Sequence, residues 1–149
     1  MNAQSNKVKV GAESTNEYFP ILKNKRIAVM ANQTSMVDDK HLVDLLIRNK
    51  INVVGIFSSE HGFRGTANAG EHIASSVDEK TGTPIWSLYG SGSSKPSSEN
   101  MAQFDVLLFD LQDVGLLFYT YYASMTRMMD ACSKPHRSAW AEVRNFHFR

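Results

Sequence analysis

The residue types best suited to chemistry stand together in one short polar segment, Ser58-Ser59-Glu60-His61-Gly62-Phe63-Arg64-Gly65. A carboxyl group such as that of Glu60 can protonate a leaving oxygen when burial raises its pKa. The two glycines permit an irregular loop that comes close to a ligand. The segment therefore favours general acid–base chemistry. A solvated carboxylate beside a surface histidine, His61, stays open as the plainer interpretation.

Arg64, in the same segment, has two interpretations of equal weight. Its guanidinium can bind the substrate, or it can hold a carboxylate of the protein in a bidentate pair. Two further polar clusters stand directly after apolar runs. They contain Asn32, Gln33 and Thr34 in one cluster and Asp110, Gln112, Asp113 and Gly115 in the other. For Asp113, helix capping or turn formation is the alternative to a binding role.

Three tyrosines, Tyr119, Tyr121 and Tyr122, come shortly after the second of these clusters. A tyrosine ring can stack on a sugar ring, whereas packing into the core is the more common use of such a group. The aromatic group therefore adds to a sugar-binding hypothesis without requiring it.

Apolar runs supply the elements that must position these clusters. Three of them are almost continuously apolar, which is typical of strands buried on both faces of a parallel sheet. They span Arg26–Asn32, Asn52–Phe57 and Val106–Leu111, and Pro84–Tyr89 is a weaker fourth. Between the first two, Lys40–Asn49 carries leucines at helical spacing, with Asp38 or Asp39 as the predicted N-cap. Strand, helix and strand in this order predict a right-handed βαβ unit and a doubly wound α/β domain with a mainly parallel sheet.

Two more helices are predicted further along the chain. Ser97–Gln103 forms a short helix capped by Ser97, after a Gly/Ser-rich loop. Tyr119–Ala131 forms a longer one. Its apolar side contains Tyr122, Met125, Met128 and Met129.

The predicted sheet brings the polar clusters together. In an open parallel α/β sheet, ligands bind outside the carboxyl ends of the strands, and each cluster follows one of those ends. Amide and ionisable side chains gathered in such a crevice suit a polyhydroxylated substrate.

The turn after the first strand argues against a nucleotide cofactor. A dinucleotide-binding fold has a glycine-rich turn there, whose amides meet a pyrophosphate, whereas this chain has Asn-Gln-Thr. The Gly90–Lys95 stretch lacks the spacing of a phosphate-binding loop. The pairs Glu60–His61 and Glu71–His72 have no recognised metal-ligand spacing, because neighbouring residues rarely chelate one ion together. We expect no cofactor and no metal.

The composition narrows the class of protein. The 149 residues, 42% hydrophobic and 21% charged, fit one domain, and a formal net charge of +1 argues against nucleic acid as a partner. Cys132 is the single cysteine, so no internal disulfide is available. No apolar run approaches the roughly 18 residues of a membrane span. Residues 1–17 are polar and lack the apolar middle of a secretory signal.

The pattern divides the chain into three parts. Residues 1–19 are predicted to be a flexible lead-in, residues 20–131 an α/β domain, and residues 132–149 a tail. After the second long helix a doubly wound domain needs another apolar strand, but residues 133–149 keep no period of 2 or 3.6. We interpret the tail as foreign to the fold, disordered or frameshifted, and the domain as truncated before its later strands.

The motifs resemble those of the NamZ-type exo-β-N-acetylmuramidases, which are peptidoglycan-recycling glycosidases. The resemblance extends over residues 20–131, and the Glu-His-Gly-Phe-Arg-Gly and Gln-Asp-Val-Gly blocks are its most specific parts. The other matching stretches are Ala31-Asn32-Gln33-Thr34, Ala69-Gly70-Glu71, Asp78-Glu79-Lys80-Thr81-Gly82, Ser87-Leu88-Tyr89-Gly90 and Phe118-Tyr119-Thr120-Tyr121. One departure is Leu117, where family members commonly have arginine.

The resemblance implies a Rossmann-like N-terminal domain, a smaller C-terminal domain, and an active site between the two. It also implies release of terminal N-acetylmuramic acid from the non-reducing ends of peptidoglycan fragments, in the periplasm or outside the cell. The family's catalytic acid corresponds to Glu60. The expected substrate-binding residues are Asn32, Gln33, His61, Arg64, Asp110, Gln112, Asp113, Tyr119 and Tyr121.

The leading hypothesis is a fragment of an exo-acting muramidase in which Glu60 is the general acid/base. Glycoside hydrolysis ordinarily needs a second group, and Asp110 and Asp113 are the ones that this chain offers. A non-catalytic carbohydrate- or protein-binding α/β module is the alternative from a different class. A metal-dependent hydrolase is the third hypothesis.

Overall fold

The computed structural model describes residues 9–58, 63–64, 76–88, 96–116 and 119–133. Its elements, in chain order, are a 3-10 turn (Gly11–Glu13), α1 (Thr15–Leu22), β1 (Arg26–Ala31), β2 (Met36–Val37), β3 (Lys40–His41), α2 (Leu42–Arg48), β4 (Asn52–Ser58), β5 (Ser76–Val77), β6 (Pro84–Ser87), α3 (Ser98–Met101), β7 (Val106–Asp110) and α4 (Tyr121–Ser133). The four predicted strands and three predicted helices are therefore confirmed, with bounds that shift by a few residues.

The central sheet is mainly parallel, as the apolar runs predict. Its strand order is β5-β6-β4-β1-β7, in which β1 pairs in parallel with both β4 and β7, and β4 pairs in parallel with β6. Only β5, at the edge, is antiparallel, while β2 and β3 form a separate hairpin. From β1, the strands β4 and β6 are added in turn on one side, and β7 is added on the other side. This is the order of a doubly wound, Rossmann-like sheet.

Continuous apolar strands form because both faces of the sheet are covered by helices. In β1, alternate residues such as Ile27 and Val29 join a core with α1 and α2, whereas Ala28 and Met30 join a second core with α3 and α4. All five residues of β7 are buried. The two cores fix the sheet, and the sheet fixes which residues stand at its carboxyl edge.

The amino-terminal expectation is wrong for the residues that the structure describes. Residues 9–19 were assigned to a flexible lead-in, but a 3-10 turn and most of α1 lie within them. Ala12 and Tyr18 are buried, and the Tyr18 hydroxyl donates a hydrogen bond to the Ala12 carbonyl at 2.9 Å. Burial of Tyr18 and Leu22 against the sheet stabilises this segment. Residues 1–8 lie outside the described part of the chain.

The predicted N-cap of α2 is also wrong. Neither Asp38 nor Asp39 caps the helix, because the β2–β3 hairpin occupies this stretch and Asp38 has a positive φ of 53° in its turn. His41 is the N-cap, and its side chain accepts a hydrogen bond from the Val43 amide. By contrast, Ser97 caps α3 as predicted.

The buried face of α4 contains only some of the residues predicted for it. Met125 and Met128 are buried in the second core, but Tyr122 and Met129 are 60% and 48% exposed. The helix also runs to Ser133, with Cys132 buried, so it crosses the boundary expected at residue 131. Residues 134–149 lie outside the described part, and the tail hypothesis stays a prediction. Within the described ranges, no helix is long and apolar enough to cross a membrane.

Candidate active site

The candidate site begins where β1 and β7 end. These neighbouring parallel strands are paired so that Ala31 stands beside Asp110, and the strand order reverses between them. Asn32 and Asp110 are only 1% and 4% exposed at this edge. A crevice outside the carboxyl ends at such a reversal is the usual ligand site of doubly wound folds.

The Asn32 side chain joins the end of β1 to the start of α4. Its Oδ1 accepts hydrogen bonds from the Thr34 amide at 2.9 Å and the Thr34 hydroxyl at 2.7 Å, and its Nδ2 donates to the Tyr121 hydroxyl at 3.2 Å. Because a backbone amide can only donate, the Thr34 contact fixes which end of the Asn32 amide is oxygen. Two of the predicted substrate-binding residues, Asn32 and Tyr121, are therefore in direct contact.

Ser35 connects the two strand ends. Its hydroxyl accepts a hydrogen bond from the backbone amide of Asn32 at 3.1 Å and donates one to the backbone carbonyl of Asp110. Ser35 is a site residue that is not among the residues predicted from the sequence. Its position directly after the Asn-Gln-Thr cluster is the sequence feature that could have indicated its role.

His41 is a second site residue that is not among those predicted from the sequence. Its Nδ1 accepts from the Val43 amide, so its Nε2 carries the proton that is donated to the Asn32 carbonyl at 2.9 Å. Burial lowers the pKa of His41, although the Asn32 contact opposes this effect. A neutral imidazole therefore supports the turn that carries Asn32.

Three predicted residues lie on the segment between β7 and α4. The Asp113 carboxylate accepts a hydrogen bond from the Gly115 amide at 2.7 Å, which is the turn-forming role that the sequence left open. Gln112 is exposed. Tyr119 is 40% exposed and its ring stands edge-on to that of Tyr121, with centroids 5.7 Å apart. Tyr119 thus offers an accessible ring next to the Asn32–Tyr121 pair.

Gln33 and Arg64 are brought together elsewhere, in a cleft of about 530 Å³ beside α2. The cleft is lined by Gln33, Met36, Asp39, Lys40, His41, Asp44, Arg48, Arg64 and Lys80. Arg64 is already paired: its Nε and Nη2 donate to the two carboxylate oxygens of Asp78 at 2.7 and 2.8 Å, and Nη2 also donates to Asp44 at 2.9 Å. Of the two interpretations of Arg64, the bidentate protein pair is the one that the structure shows.

The ion pairs in this cluster lower the pKa values of both aspartates. The hydrogen bond from Arg64 lowers the pKa of Asp78 to about 2. Desolvation raises the pKa of Asp44, but the hydrogen bonds from Arg64 and Lys80 outweigh it, so the net shift is downward. Both carboxylates are ionised at neutral pH, and neither is suited to be a proton donor there.

Glu60 and His61 lie outside the described residues. Glu60 follows Ser58 by two positions, and Ser58 ends β4 in register with Ala31 and Ser87 at the same edge of the sheet. Ser58 is 1% exposed, and its hydroxyl has no hydrogen-bond partner among the described residues. In the described part of the chain, no three His, Cys, Asp or Glu side chains are grouped so as to hold a metal ion.

Comparison with known proteins decides the family. Residues 27–141 match the family described as exo-β-N-acetylmuramidase NamZ, N-terminal. The chain belongs to the NamZ family. The peptidoglycan β-N-acetylmuramidase NamZ of Bacillus subtilis (strain 168) is 41% identical to it over 135 residues.

Solved structures agree with this membership. Two crystal structures of DUF1343 family proteins from Bacteroides fragilis NCTC 9343 are similar to the chain, one with a TM-score of 0.74 and 54% identity, the other with 0.78 and 32%. The matches cover 89% of this chain but only 32% of the Bacillus relative and 33% of each Bacteroides chain. This NamZ-family chain therefore spans about one third of the length of its relatives.

The family resemblance stated from the motifs is thus confirmed. Asp78, which became visible as the main partner of Arg64 only in the structure, lies within one of the NamZ-like stretches. Its motif was recognised, but a role for it was not, because its partner is 14 residues away in the sequence.

Proposed function

We propose that this NamZ-family chain is the part of an exo-acting β-N-acetylmuramidase that carries its catalytic acid, Glu60. The substrate class is peptidoglycan fragments, from whose non-reducing ends terminal N-acetylmuramic acid is released. The observation that carries this proposal is the family match over residues 27–141, which spans the Glu60 segment and the polar edge of the sheet.

The Asn32–Tyr121 pair supports a sugar-binding role for this edge. Because the Tyr121 oxygen accepts the Asn32 Nδ2 proton, its own hydroxyl proton can be donated to a further acceptor. The hydroxyl and acetamido oxygens of a sugar are acceptors of this kind. The partly exposed Tyr119 ring next to Tyr121 adds an apolar face on which a sugar ring can stack.

The mechanism requires two groups at the scissile bond. Glu60 protonates the leaving oxygen in the proposed reaction. Asp110 is the better proposal for the second group, because it stands at the strand reversal in the crevice. The Asp113 carboxylate instead accepts the Gly115 amide within a turn.

The test is hydrolysis of a chromogenic β-glycoside of N-acetylmuramic acid by the 149-residue chain and, in parallel, by the Bacillus subtilis relative. Loss of general acid catalysis lowers rates by about 10²–10⁴-fold, so we expect Glu60→Gln, and the same change at the aligned position of the relative, to lower kcat by at least about 100-fold. Glu99→Gln, an exposed glutamate in the first turn of α3, is the matched control and leaves kcat unchanged.

Full turnover by Glu60→Gln would overturn the assignment of Glu60. If the chain binds muramic acid glycans without releasing the sugar while the relative hydrolyses them, the alternative of a binding module holds for this chain. Activity that is lost with a chelator and restored by a divalent metal would favour the metal-dependent hydrolase.

The cellular location of the protein and its metabolic role are further proposals, based on the family resemblance. A role in peptidoglycan recycling, in the periplasm or outside the cell, is part of the proposed function. Detection of the native protein in a periplasmic or culture fraction tests the location, and recovery only in the cytoplasm would contradict it.

A further inference from the structure

Phe63 and Arg64 are firmly attached to the folded domain. The Phe63 side chain is 4% exposed and belongs to the core between the sheet and α2, with its ring edge-on to His41 at a centroid distance of 4.6 Å. The Arg64 guanidinium lies 4.8 Å from the centre of the Phe63 ring. Apolar packing thus holds Phe63 on the domain, and the cation–π contact joins Arg64 to Phe63.

Arg64 is also joined to two parts of the fold through charged hydrogen bonds. It donates to both carboxylate oxygens of Asp78, which follows β5, and to Asp44 in the first turn of α2. Lys80 donates to the other oxygen of Asp44 and completes the cluster. Bidentate arginine–carboxylate pairs fix direction as well as distance, so the Arg64 backbone is tied to α2 and to the turn after β5.

Asp78 is a rigid partner because its own turn fixes it. Its carboxylate accepts the Thr81 hydroxyl, and its carbonyl accepts the amides of Thr81 and Gly82 at 3.2 and 2.8 Å. Gly82 closes the turn with a positive φ of 71°, which a glycine adopts at little cost. Asp78 itself is 4% exposed.

We infer that Arg64 and Asp78 are positioning residues that hold the segment of Glu60 in place, and that Arg64 is not a substrate ligand. This inference rests on the proposed function of Glu60. Glu60 lies two residues after Ser58 and three before Phe63. Each residue extends a chain by at most about 3.6 Å, so a connection of three residues is short enough to transmit a displacement of the Phe63–Arg64 anchor. Movement of the Phe63–Arg64 anchor therefore changes where the Glu60 carboxyl can lie.

The variants Asp78→Asn and Arg64→Lys test the inference, since each breaks the bidentate pair while conserving size or charge. Misplacement of a catalytic group by about 1 Å can cost about 100-fold in rate, so we expect kcat on the chromogenic glycoside to fall at least about 10-fold with KM changed less than about threefold. The substitutions are made in this chain and at the aligned positions of the Bacillus subtilis relative.

The matched control is Asp105→Asn. Asp105 forms an equivalent fork with Arg26 at 2.6–3.2 Å, but this pair stands at the beginning of β1 and β7, whereas Asn32 and Asp110 stand at the other ends of these strands. Asp105→Asn is expected to keep kcat within about twofold of the wild type. A KM increase without a kcat decrease in Arg64→Lys would show a substrate ligand and overturn the inference, as would equal kcat values for Asp78→Asn and Asp105→Asn.

Amide hydrogen exchange separates this inference from the proposed function. In Asp78→Asn, peptides that contain Phe63 and Arg64 should exchange at least about tenfold faster than in the wild type, whereas Asp105→Asn should leave them unchanged. Unchanged exchange in Asp78→Asn overturns the anchor whatever the activity. If the wild-type chain shows no hydrolysis but Asp78→Asn still exchanges faster at Phe63 and Arg64, the proposed function is overturned while the anchor stands.

Discussion

At the scale of single residues, the candidate site is a set of side chains with defined hydrogen-bond roles. Asn32 uses its oxygen for Thr34 and its nitrogen for Tyr121, while His41 holds the Asn32 carbonyl. Each role is fixed by the chemistry of its partner. Tyr121 is the member that still has a proton to donate, so it is the residue on which substrate binding is best tested.

Tyr121→Phe removes both the acceptor of the Asn32 amide and the proposed donor to the sugar. Loss of one net hydrogen bond costs about 1 kcal/mol of folding free energy, which urea unfolding measures. We also expect KM for the chromogenic glycoside to rise about tenfold. Tyr122→Phe is the control, because Tyr122 is its neighbour on α4 but is 60% exposed. Equal KM values for the two variants would contradict a sugar contact at Tyr121.

At the scale of elements, close packing between β4 and β6 depends on one glycine. A Cβ on Gly55 would stand 2.2–2.5 Å from three ring carbons of Trp86, so no larger side chain fits without movement of the ring. Trp86 is 5% exposed and its ring meets that of Phe57 at 5.0 Å. The glycine is therefore a packing requirement of the second core and not a turn residue.

Gly55→Ala should lower the free energy of unfolding by about 3 kcal/mol or more, because overpacking in a core costs about 1–3 kcal/mol and this contact is severe. Gly82→Ala provides the comparison. Its Cβ would meet nothing within 4 Å, but its φ is 71°, and we expect a cost of about 1 kcal/mol. Urea unfolding of both variants measures the difference, and equal stabilities would refute the packing argument.

At the scale of the whole molecule, two arginine–aspartate forks join segments that are distant in the sequence. Arg64 holds Asp78 in the turn after β5, and Arg26 holds Asp105 at the beginning of β1 and β7. In each fork the hydrogen bond from the arginine is the main cause that lowers the pKa of the aspartate, to about 2 in both cases. The pairs therefore make the stability of the domain depend on pH in the acid range.

The sign of this dependence follows from the lowered pKa values. Below the ordinary aspartate pKa of 3.8 the unfolded chain takes up protons that the folded chain does not, so stability is present above about pH 4 and is lost as the pH falls towards about 2. We expect Asp78→Asn to be less stable than the wild type at neutral pH and to lose less stability between about pH 4 and 2. Urea unfolding across this range tests it, and curves parallel to the wild type would refute the contribution of Asp78.

The pattern of residues along the chain was enough to predict the parallel sheet and the family. Buried strands such as β1 and β7 were visible because most residues of a strand covered on both faces are apolar, which leaves a nearly continuous run. The position of Asn32 and Asp110 at the carboxyl edge followed from those runs. The NamZ motifs could be recognised because each is a short, continuous stretch of sequence, and the family is confirmed over residues 27–141.

The hydrogen-bond partners of the polar residues, in contrast, could be learned only from the folded chain. Asn32 meets Tyr121 across 89 residues and Arg64 meets Asp44 across 20, and no local pattern records such distances along the chain. The fold of residues 9–19 and the exposure of Tyr122 were misjudged for a related reason. Burial depends on which surface a segment meets, and that surface is assembled from strands that are distant in sequence.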